Sequence, residues 1–154
     1  IFKNNVFYNK EASSLIPKFK LFNGTKATIN KLELEHNTFV NMACETSFFV
    51  SVSKLTDIVA QYNLFYTDVD LPNACGVFRV IDTPATGSVC DNNIVYRNDA
   101  YNWQMFYGGT KNGFEGAVEV ERVEENPFTG GTFDLSTGTF VPNATYAEYG
   151  AKFE

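Results

Sequence analysis

The sequence lacks the features by which a chain crosses a membrane or binds a polyanion. Its 154 residues contain no run approaching the roughly 18 consecutive apolar residues of a membrane span. Twelve Lys and Arg stand against 18 Asp and Glu, which gives a net charge of −6, and the basic residues form no cluster. We therefore predict no membrane span in this segment and no binding to nucleic acid or to an anionic membrane surface.

Cysteine and histidine are also scarce. The three cysteines, Cys44, Cys75 and Cys90, are 31 and 15 residues apart and form no C-x-x-C pair. Together with the single histidine, His36, they lack the closely spaced ligand pairs of a zinc site. We predict buried free thiols, and the alternative is one disulfide whose pairing the spacing does not reveal.

Aromatic residues and asparagine are abundant. The chain has fifteen Phe, eight Tyr and sixteen Asn, and it is 44% hydrophobic and 19% charged. A chain of this length and composition can bury the core of one domain. Because aromatic residues favour strands and asparagine favours tight turns, the composition predicts an all-β protein.

A short motif of asparagine followed by strand-forming residues occurs four times. The copies are Asn5-Val6-Phe7-Tyr8, Asn37-Thr38-Phe39-Val40, Asn63-Leu64-Phe65-Tyr66 and Asn93-Ile94-Val95-Tyr96, with the asparagines 32, 26 and 30 residues apart. Repeats of this length built from strands alone are typical of a coil of parallel strands. We predict an asparagine at each bend, where it tolerates left-handed backbone angles and its amide hydrogen-bonds to the coils above and below.

Two further strands are predicted in each repeat. An apolar strand follows each motif, at 19–22, 48–52, 77–80 and 103–107. A run of alternating apolar and polar residues precedes the motif, clearest at 29–35, and 117–123 predicts its last counterpart. The prediction is a short right-handed parallel β-helix over residues 1–124. The alternative is an antiparallel β-sandwich, which would place strands about every 8–12 residues without a long repeat.

The composition changes after residue 124. Gly130-Gly131 and Thr137-Gly138 mark two turns that flank a short strand pair. A stack of strands needs its open end covered, because exposed strand edges aggregate. We therefore predict that residues 125–154 form a C-terminal β-hairpin and loop cap of the same domain. At Ile1-Phe2 we expect the stack to continue into an N-terminal remainder of a parent chain or to pair with a second copy.

These features resemble the right-handed parallel β-helix of the pectate-lyase-like superfamily. The Asn-x-Phe-Tyr bends carry the resemblance, and the segment from Asn126-Pro127-Phe128 to Tyr149-Gly150-Ala151 is similar to the closing segment of many bacterial β-helix proteins. The chain is particularly similar to the uncharacterised C-terminal domain of surface β-helix proteins in bacterial polysaccharide-utilisation systems. The resemblance implies an extracellular or cell-surface parent protein and an acidic polysaccharide as partner.

The same resemblance indicates where chemistry would lie. Lyases of this fold work on the outer face of one sheet, with carboxylates that hold calcium and an Arg or Lys as base. If the four apolar strands form that sheet, alternation places several polar residues outward. The candidate catalytic residues are Arg79 and Lys20, and the candidate substrate-binding residues are Lys18, Ser51, Gln104, Tyr101 and Trp103.

Asp68 and Asp70 are the candidate ligands for calcium, the one cofactor expected. Two carboxylates two residues apart can converge on a hard cation. The structural alternative is a polar loop that enters the turn at Leu71-Pro72-Asn73, and the outward basic residues have a similar alternative as solvated strand positions.

The predicted function is a non-catalytic carbohydrate-associated module, the C-terminal part of a larger secreted or surface polysaccharide-processing protein. It is preferred because the sequence shows no convergent set of acid, base and metal ligands. One alternative is a pectin or polyuronate lyase or hydrolase of the β-helix type. Another is a structural assembly element that stacks through its open N-terminal end.

Overall fold

The computed structural model describes a chain built from strands. The described residues are 1–10, 22–42, 48–68, 76–80, 86–97, 104–106, 114–115 and 120–153. Their strands are β1 (Phe2–Lys3), β2 (Val6–Tyr8), β3 (Phe22–Glu35), β4 (Thr38–Val40), β5 (Phe48–Gln61), β6 (Leu64–Thr67), β7 (Gly76–Val80), β8 (Ser88–Asp91), β9 (Ile94–Arg97), β10 (Gln104–Phe106), β11 (Phe114–Glu115), β12 (Glu121–Arg122), β13 (Thr132–Asp134) and β14 (Thr139–Val141). The helix in these ranges is one 3-10 turn, Ala144–Tyr146, and none of them contains a helix able to cross a membrane.

The strands form two parallel sheets and one antiparallel hairpin. The first sheet has the order β1-β3-β5-β7-β10, with β8 beside β5 and β11 beside β8. The second sheet has the order β12-β9-β6-β4-β2, and β13 pairs with β14 in the hairpin. Every pairing in the first two sheets is parallel. The all-β prediction is confirmed, and the parallel pairing is incompatible with the antiparallel sandwich.

The first sheet has two arms that share the long strands β3 and β5. We define the first arm as residues 22–24, 48–52, 76–80 and 104–106, and the second arm as residues 2–3, 28–35, 54–61, 88–91 and 114–115. The β3–β5 register shifts between Gly24 and Thr28, where the two arms meet. In the first arm Phe22, Val50, Phe78 and Phe106 are aligned across four strands. The described parts of the four predicted apolar strands therefore lie side by side, as the repeat predicts.

The last strand of the second sheet differs from its predicted position. The alternating run 117–123 predicts another strand of the second arm, whereas β12 pairs with β9 in the second sheet and aligns Glu121 with Ile94. The backbone N–H of Glu121 donates to the Asn93 carbonyl, 2.8 Å, as that of Ile94 does to Asn63, 3.0 Å. Val120 therefore occupies the asparagine position of the last repeat. The strand that continues the second arm is β11, paired with β8.

Like residues stack on like in the interior. The rings of Phe7, Phe39 and Phe65 form a column with centroids 5.0 and 4.9 Å apart and ring planes within 10° of parallel. In the second arm the buried positions alternate with polar ones, since Leu32 and Leu34 are buried while Lys31 is exposed. Because equivalent positions recur once in each repeat, residues of the same type stack on one another, as the sequence predicts.

The C-terminal segment, residues 124–153, packs on the outer face of the second sheet. Side chains alternate along these strands, so the face opposite Phe39 and Phe65 is also apolar. Phe128 and Phe140 of the segment are buried in a cluster with residues of that outer face. The cluster members from the sheet are Val40, Leu64, Tyr66 and Ile94.

Contacts near the end of the segment reach the first repeat. The backbone N–H of Gly150 donates to the Tyr62 carbonyl, and that of Ala151 donates to Thr38 Oγ1, each at 2.8 Å. Asn4 Nδ2 donates to the Lys152 carbonyl at 2.9 Å. These contacts run along the sheet rather than over one end of the stack, which corrects the predicted placement. The reason is that both faces of the second sheet are apolar and the outer one must be covered.

Candidate functional site

The asparagine bends form one continuous hydrogen-bonded row, which we call the asparagine ladder: Asn5, Asn37, Asn63 and Asn93. Asn37 Nδ2 donates to Asn63 Oδ1 at 3.0 Å, and Asn63 Nδ2 donates to Asn93 Oδ1 at 2.8 Å. The backbone N–H of each donor residue reaches the same oxygen, at 3.0 and 3.1 Å. Because Asn37, Asn63 and Asn93 are at most 1% exposed, these bonds satisfy amides that water does not reach.

The ladder has a direction. Asn5, Asn37 and Asn63 each donate to the asparagine of the following repeat, and Asn37, Asn63 and Asn93 each accept from that of the preceding repeat. At the far end Val120 stands where the next asparagine would be, and valine has no side-chain amide. At the near end Asn5 donates to Asn37, while none of the described residues donates to Asn5 Oδ1.

The left-handed residue of each bend is the one before the ladder asparagine. These residues and their φ angles are Asn4 at 58°, His36 at 51°, Tyr62 at 55° and Asn92 at 51°. The prediction that the ladder asparagine itself takes the left-handed angles is wrong. Histidine is among the residue types enriched at such angles, whereas the bulky Tyr62 is an unfavourable type there. The rings of His36 and Tyr62 stack, with centroids 5.0 Å apart and planes 5° from parallel. The single histidine thus forms part of a bend.

Register aligns two of the predicted site residues in the first arm, the candidate catalytic residue Arg79 and the candidate substrate-binding residue Ser51. Ser51 is the Cα partner of Arg79, and Asn23 is the Cα partner of Ser51. We call these three residues the polar row. Gln104 is the Cα partner of Gly76 and therefore does not join the row with Arg79. Sequence reasoning missed Asn23, although the alignment of Phe22 with Val50 would have revealed it.

The remaining predicted residues fall mostly outside the described ranges. Those outside are Lys18, Lys20, Asp70, Tyr101 and Trp103. Asp68, the other candidate calcium ligand, is exposed at the end of β6, and its backbone N–H donates to Asn41 Oδ1 at 3.2 Å. The Tyr66 hydroxyl lies 3.4 Å from Asp68 Oδ2. Within the described part of the chain no three His, Cys, Asp or Glu side chains converge on a potential metal position.

A second group of buried polar residues lies at the carboxyl ends of the second sheet, and sequence reasoning missed it. Asn41 and Thr67 are 0% exposed and Arg97 is 2% exposed. Thr67 and Arg97 are Cα partners, and Asn41 follows Val40, the partner of Tyr66. The signal was absent from the sequence because these residues align only once the strands have paired.

The polar face of the second arm forms ion pairs within itself. Lys3 Nζ lies 3.0 Å from Glu33 and 2.9 Å from Glu35, and Lys31 Nζ lies 2.8 Å from Glu33. Hydrogen bonds from Lys31 and Lys3 lower the pKa of Glu33 to about 2. The charges of this face therefore already pair with one another, and they are less suited to binding a charged partner than unpaired charges would be.

Cys90 lies in the buried interior. It is a free thiol with 0% exposure, and burial raises its pKa. The predicted buried free thiol is confirmed at this position, and Cys44 and Cys75 lie outside the described residues. A thiol that stays protonated and out of reach of solvent is a poor nucleophile, so Cys90 fills space in the core.

No protein-family model, no curated protein and no solved structure matches the chain.

Proposed function

We propose that the chain is a short right-handed parallel β-helix of the pectate-lyase-like type, with residues 1–124 forming the coils. Three strand segments in each repeat and parallel pairing between repeats support this architecture. Parallel strands joined by crossover connections are right-handed in about 98% of cases. Residues 125–154 belong to the same domain, and their described part, residues 125–153, closes the outer face of its second sheet.

We further propose that this β-helix is a non-catalytic carbohydrate-associated module of a larger secreted or cell-surface bacterial protein. The observation that carries the proposal is the polar row, in which Asn23, Ser51 and Arg79 are aligned on three adjacent strands. Adjacent strands are about 4.8 Å apart, so the row extends about 10 Å along the stack. A linear polymer lying across the strands would cross the backbone positions of an asparagine, a serine and an arginine in turn.

The chemistry of the row favours an acidic polysaccharide. A guanidinium binds a carboxylate through two parallel charge-assisted hydrogen bonds, which are about twice as strong as neutral ones. The amide and the hydroxyl supply the donors and acceptors that sugar hydroxyls need. The overall charge of −6 opposes non-specific attraction of a polyanion. Specific donors such as Arg79 must then account for binding.

The test measures binding of the full chain to polygalacturonate and to a neutral polysaccharide by isothermal titration calorimetry. Arg79→Gln removes the charged member of the row, and Arg122→Gln is the matched control on β12, outside the row. We expect the Arg79 variant to lose at least tenfold in affinity for polygalacturonate while the control stays within twofold. Equal affinities of the two variants, or no binding by the unmodified chain, would contradict the proposal.

The same samples distinguish a lyase from a binding module. The ultraviolet absorbance of an unsaturated product is followed with calcium and with a chelator. Binding without a rise in absorbance agrees with the proposed module. A calcium-dependent rise that Arg79→Gln abolishes would replace it with the lyase alternative.

A further inference from the structure

We propose that residues 150–152 form a clasp that makes the first three repeats open together rather than one at a time. We call this segment the clasp and number the repeats by their ladder asparagines, from Asn5 in the first to Asn93 in the fourth. The inference concerns the coupling between repeats. It does not depend on carbohydrate binding at the polar row.

Strand pairing by itself joins each repeat to its neighbours. In the second sheet β2 pairs with β4, β4 with β6 and β6 with β9. The hydrogen bonds of the asparagine ladder also join adjacent repeats. The stability of such a stack is a sum of contributions from single repeats and from adjacent pairs, so one repeat can open while distant repeats stay closed. A segment that contacts three repeats at once changes this behaviour.

Two residues of the clasp are fixed to the third and second repeats. The backbone N–H of Gly150 donates to the Tyr62 carbonyl in the third repeat at 2.8 Å. The backbone N–H of Ala151 donates to Thr38 Oγ1 in the second repeat, also at 2.8 Å. Both clasp residues are buried, so water does not compete for these bonds. Gly150 has a φ of 76°, and a Cβ there would clash with Thr38 Oγ1, so the clasp fits closely against the second repeat.

The third residue of the clasp contacts the first repeat. Asn4 Nδ2 donates to the Lys152 carbonyl at 2.9 Å, and the backbone N–H of Lys152 donates to Asn4 Oδ1. These two bonds join the first repeat to a segment that the second and third repeats already hold. Opening of the first repeat must therefore break bonds to the clasp in addition to its strand pairing. Conversely, a change that loosens the clasp must weaken the first repeat.

The first test compares two equivalent bend residues. Asn4→Gly and Asn92→Gly each remove a side-chain amide from a residue with positive φ, 58° and 51°, which glycine adopts without strain. Asn4 contacts the clasp, whereas no contact in the described part of the chain joins Asn92 to it. Amide hydrogen exchange in the full chain, measured by NMR spectroscopy, reports the opening of individual repeats.

Two backbone amides serve as reporters. The Asn9 N–H, bonded to a carbonyl of β4, reports on the first repeat, and the Ile94 N–H, bonded to a carbonyl of the third repeat, reports on the fourth, each bond being 3.0 Å long. We expect Asn4→Gly to speed exchange at Asn9 by about tenfold or more, because two hydrogen bonds are lost, and to leave Ile94 within about twofold. Asn92→Gly should leave Asn9 within the same limit.

The second test perturbs the clasp away from the first repeat. Gly150 contacts the second and third repeats, so neighbour effects alone would reach Asn9 and Ile94 equally. We expect Gly150→Ala to speed exchange at Asn9 by about fivefold more than at Ile94. The control is Gly87→Ala, at a positive φ where a Cβ meets open space, and it should not favour Asn9.

The outcomes decide the proposal. Selective loss of protection at Asn9 in both Asn4→Gly and Gly150→Ala supports the clasp. An equal change at Asn9 and Ile94 in Gly150→Ala would show a loss of overall stability without coupling, and it would overturn the proposal. An effect of Asn4→Gly on Asn9 no larger than that of Asn92→Gly would also overturn it.

Discussion

The asparagine ladder is testable by removing one interior rung. Asn63→Ala deletes a side chain that is 1% exposed and makes four hydrogen bonds. Nδ2 donates to Asn93 Oδ1 at 2.8 Å and to the Leu34 carbonyl at 2.7 Å. Oδ1 accepts from the backbone N–H and from Nδ2 of Asn37, both at 3.0 Å. The substitution therefore removes the ladder bonds from Asn37 to Asn63 and from Asn63 to Asn93, and it leaves the bond from Asn5 to Asn37 in place.

The expected loss in the free energy of unfolding follows from the hydrogen bonds removed and from the polar groups left without a partner. A typical hydrogen bond contributes about 1 kcal/mol, and a buried group without a partner costs about 1–3 kcal/mol. The Asn37 N–H loses its ladder acceptor, whereas Asn37 Nδ2 keeps its bond to the Phe2 carbonyl and Asn93 Oδ1 keeps its bond from the Asn63 N–H. We expect Asn63→Ala to lower the free energy of unfolding by about 4 kcal/mol.

The terminal rung is the matched comparison. Asn5→Ala removes two bonds from Nδ2, to Asn37 Oδ1 at 3.2 Å and to the Lys3 carbonyl at 2.9 Å. Asn37 Oδ1 keeps its bond from the Asn5 N–H, and solvent reaches this end. We expect a loss of about 1 kcal/mol. Asn30→Ala, at an exposed position, should cost less than either.

Urea unfolding, followed by circular dichroism, gives the free energies of unfolding for the three variants and the unmodified chain. The expected difference between the interior and terminal rungs is about 3 kcal/mol. A difference below about 1 kcal/mol would refute the argument, because the ladder would then contribute no more when buried than when it is open to water.

Three further predictions concern the C-terminal segment, the ion pairs and the buried thiol. Gly150→Ala should lower the melting temperature more than Gly87→Ala. Both glycines have positive φ, but a Cβ at 150 would clash with Thr38 Oγ1, whereas a Cβ at 87 would meet open space. Equal losses would show that this contact is unimportant. Glu33→Gln should flatten the fall in the free energy of unfolding between pH 4.5 and 2. The pKa of Glu33 is lowered from 4.5 to about 2 in the folded chain, so its contribution to stability is present above pH 4.5 and is lost as the pH falls toward 2. An unchanged pH profile would contradict this. Peptide mapping after treatment with a thiol reagent should show Cys90 unlabelled in the native chain and labelled in urea, and rapid native labelling would contradict its burial.

Several elements were predictable because their signals are local and periodic. The motif at Asn5, Asn37, Asn63 and Asn93 predicted the bends, their hydrogen bonds and the strands that follow them. The alternation at 29–35 predicted which residues of β3 are buried. These predictions required only that equivalent positions stack on one another, which any regular repeat of strands imposes.

Other features were beyond the sequence because they depend on which strands pair and how they align. The run 117–123 alternates, but alternation alone does not choose between two rows of strands, and β12 joined the second sheet. Gln104 is a polar residue like the members of the polar row, yet its register with Gly76 places it outside that row. Asn23 lies in the row for the same reason and had no distinguishing neighbour in the sequence.

The amino-acid sequence by itself determined the all-β class, the repeat and the position of each asparagine bend, because turn and strand preferences act over a few residues. Only the tertiary structure decided that residues 124–153 cross the outer face of the second sheet as far as Asn4, and that Thr67 meets Arg97. It also decided that His36 and Tyr62, rather than the ladder asparagines beside them, take the left-handed angles. The physical reason is that burying an apolar face and pairing two polar residues gain free energy only from contacts that form when the chain folds. Those contacts join positions as distant as Thr38 and Ala151, 113 residues apart, which no local pattern specifies.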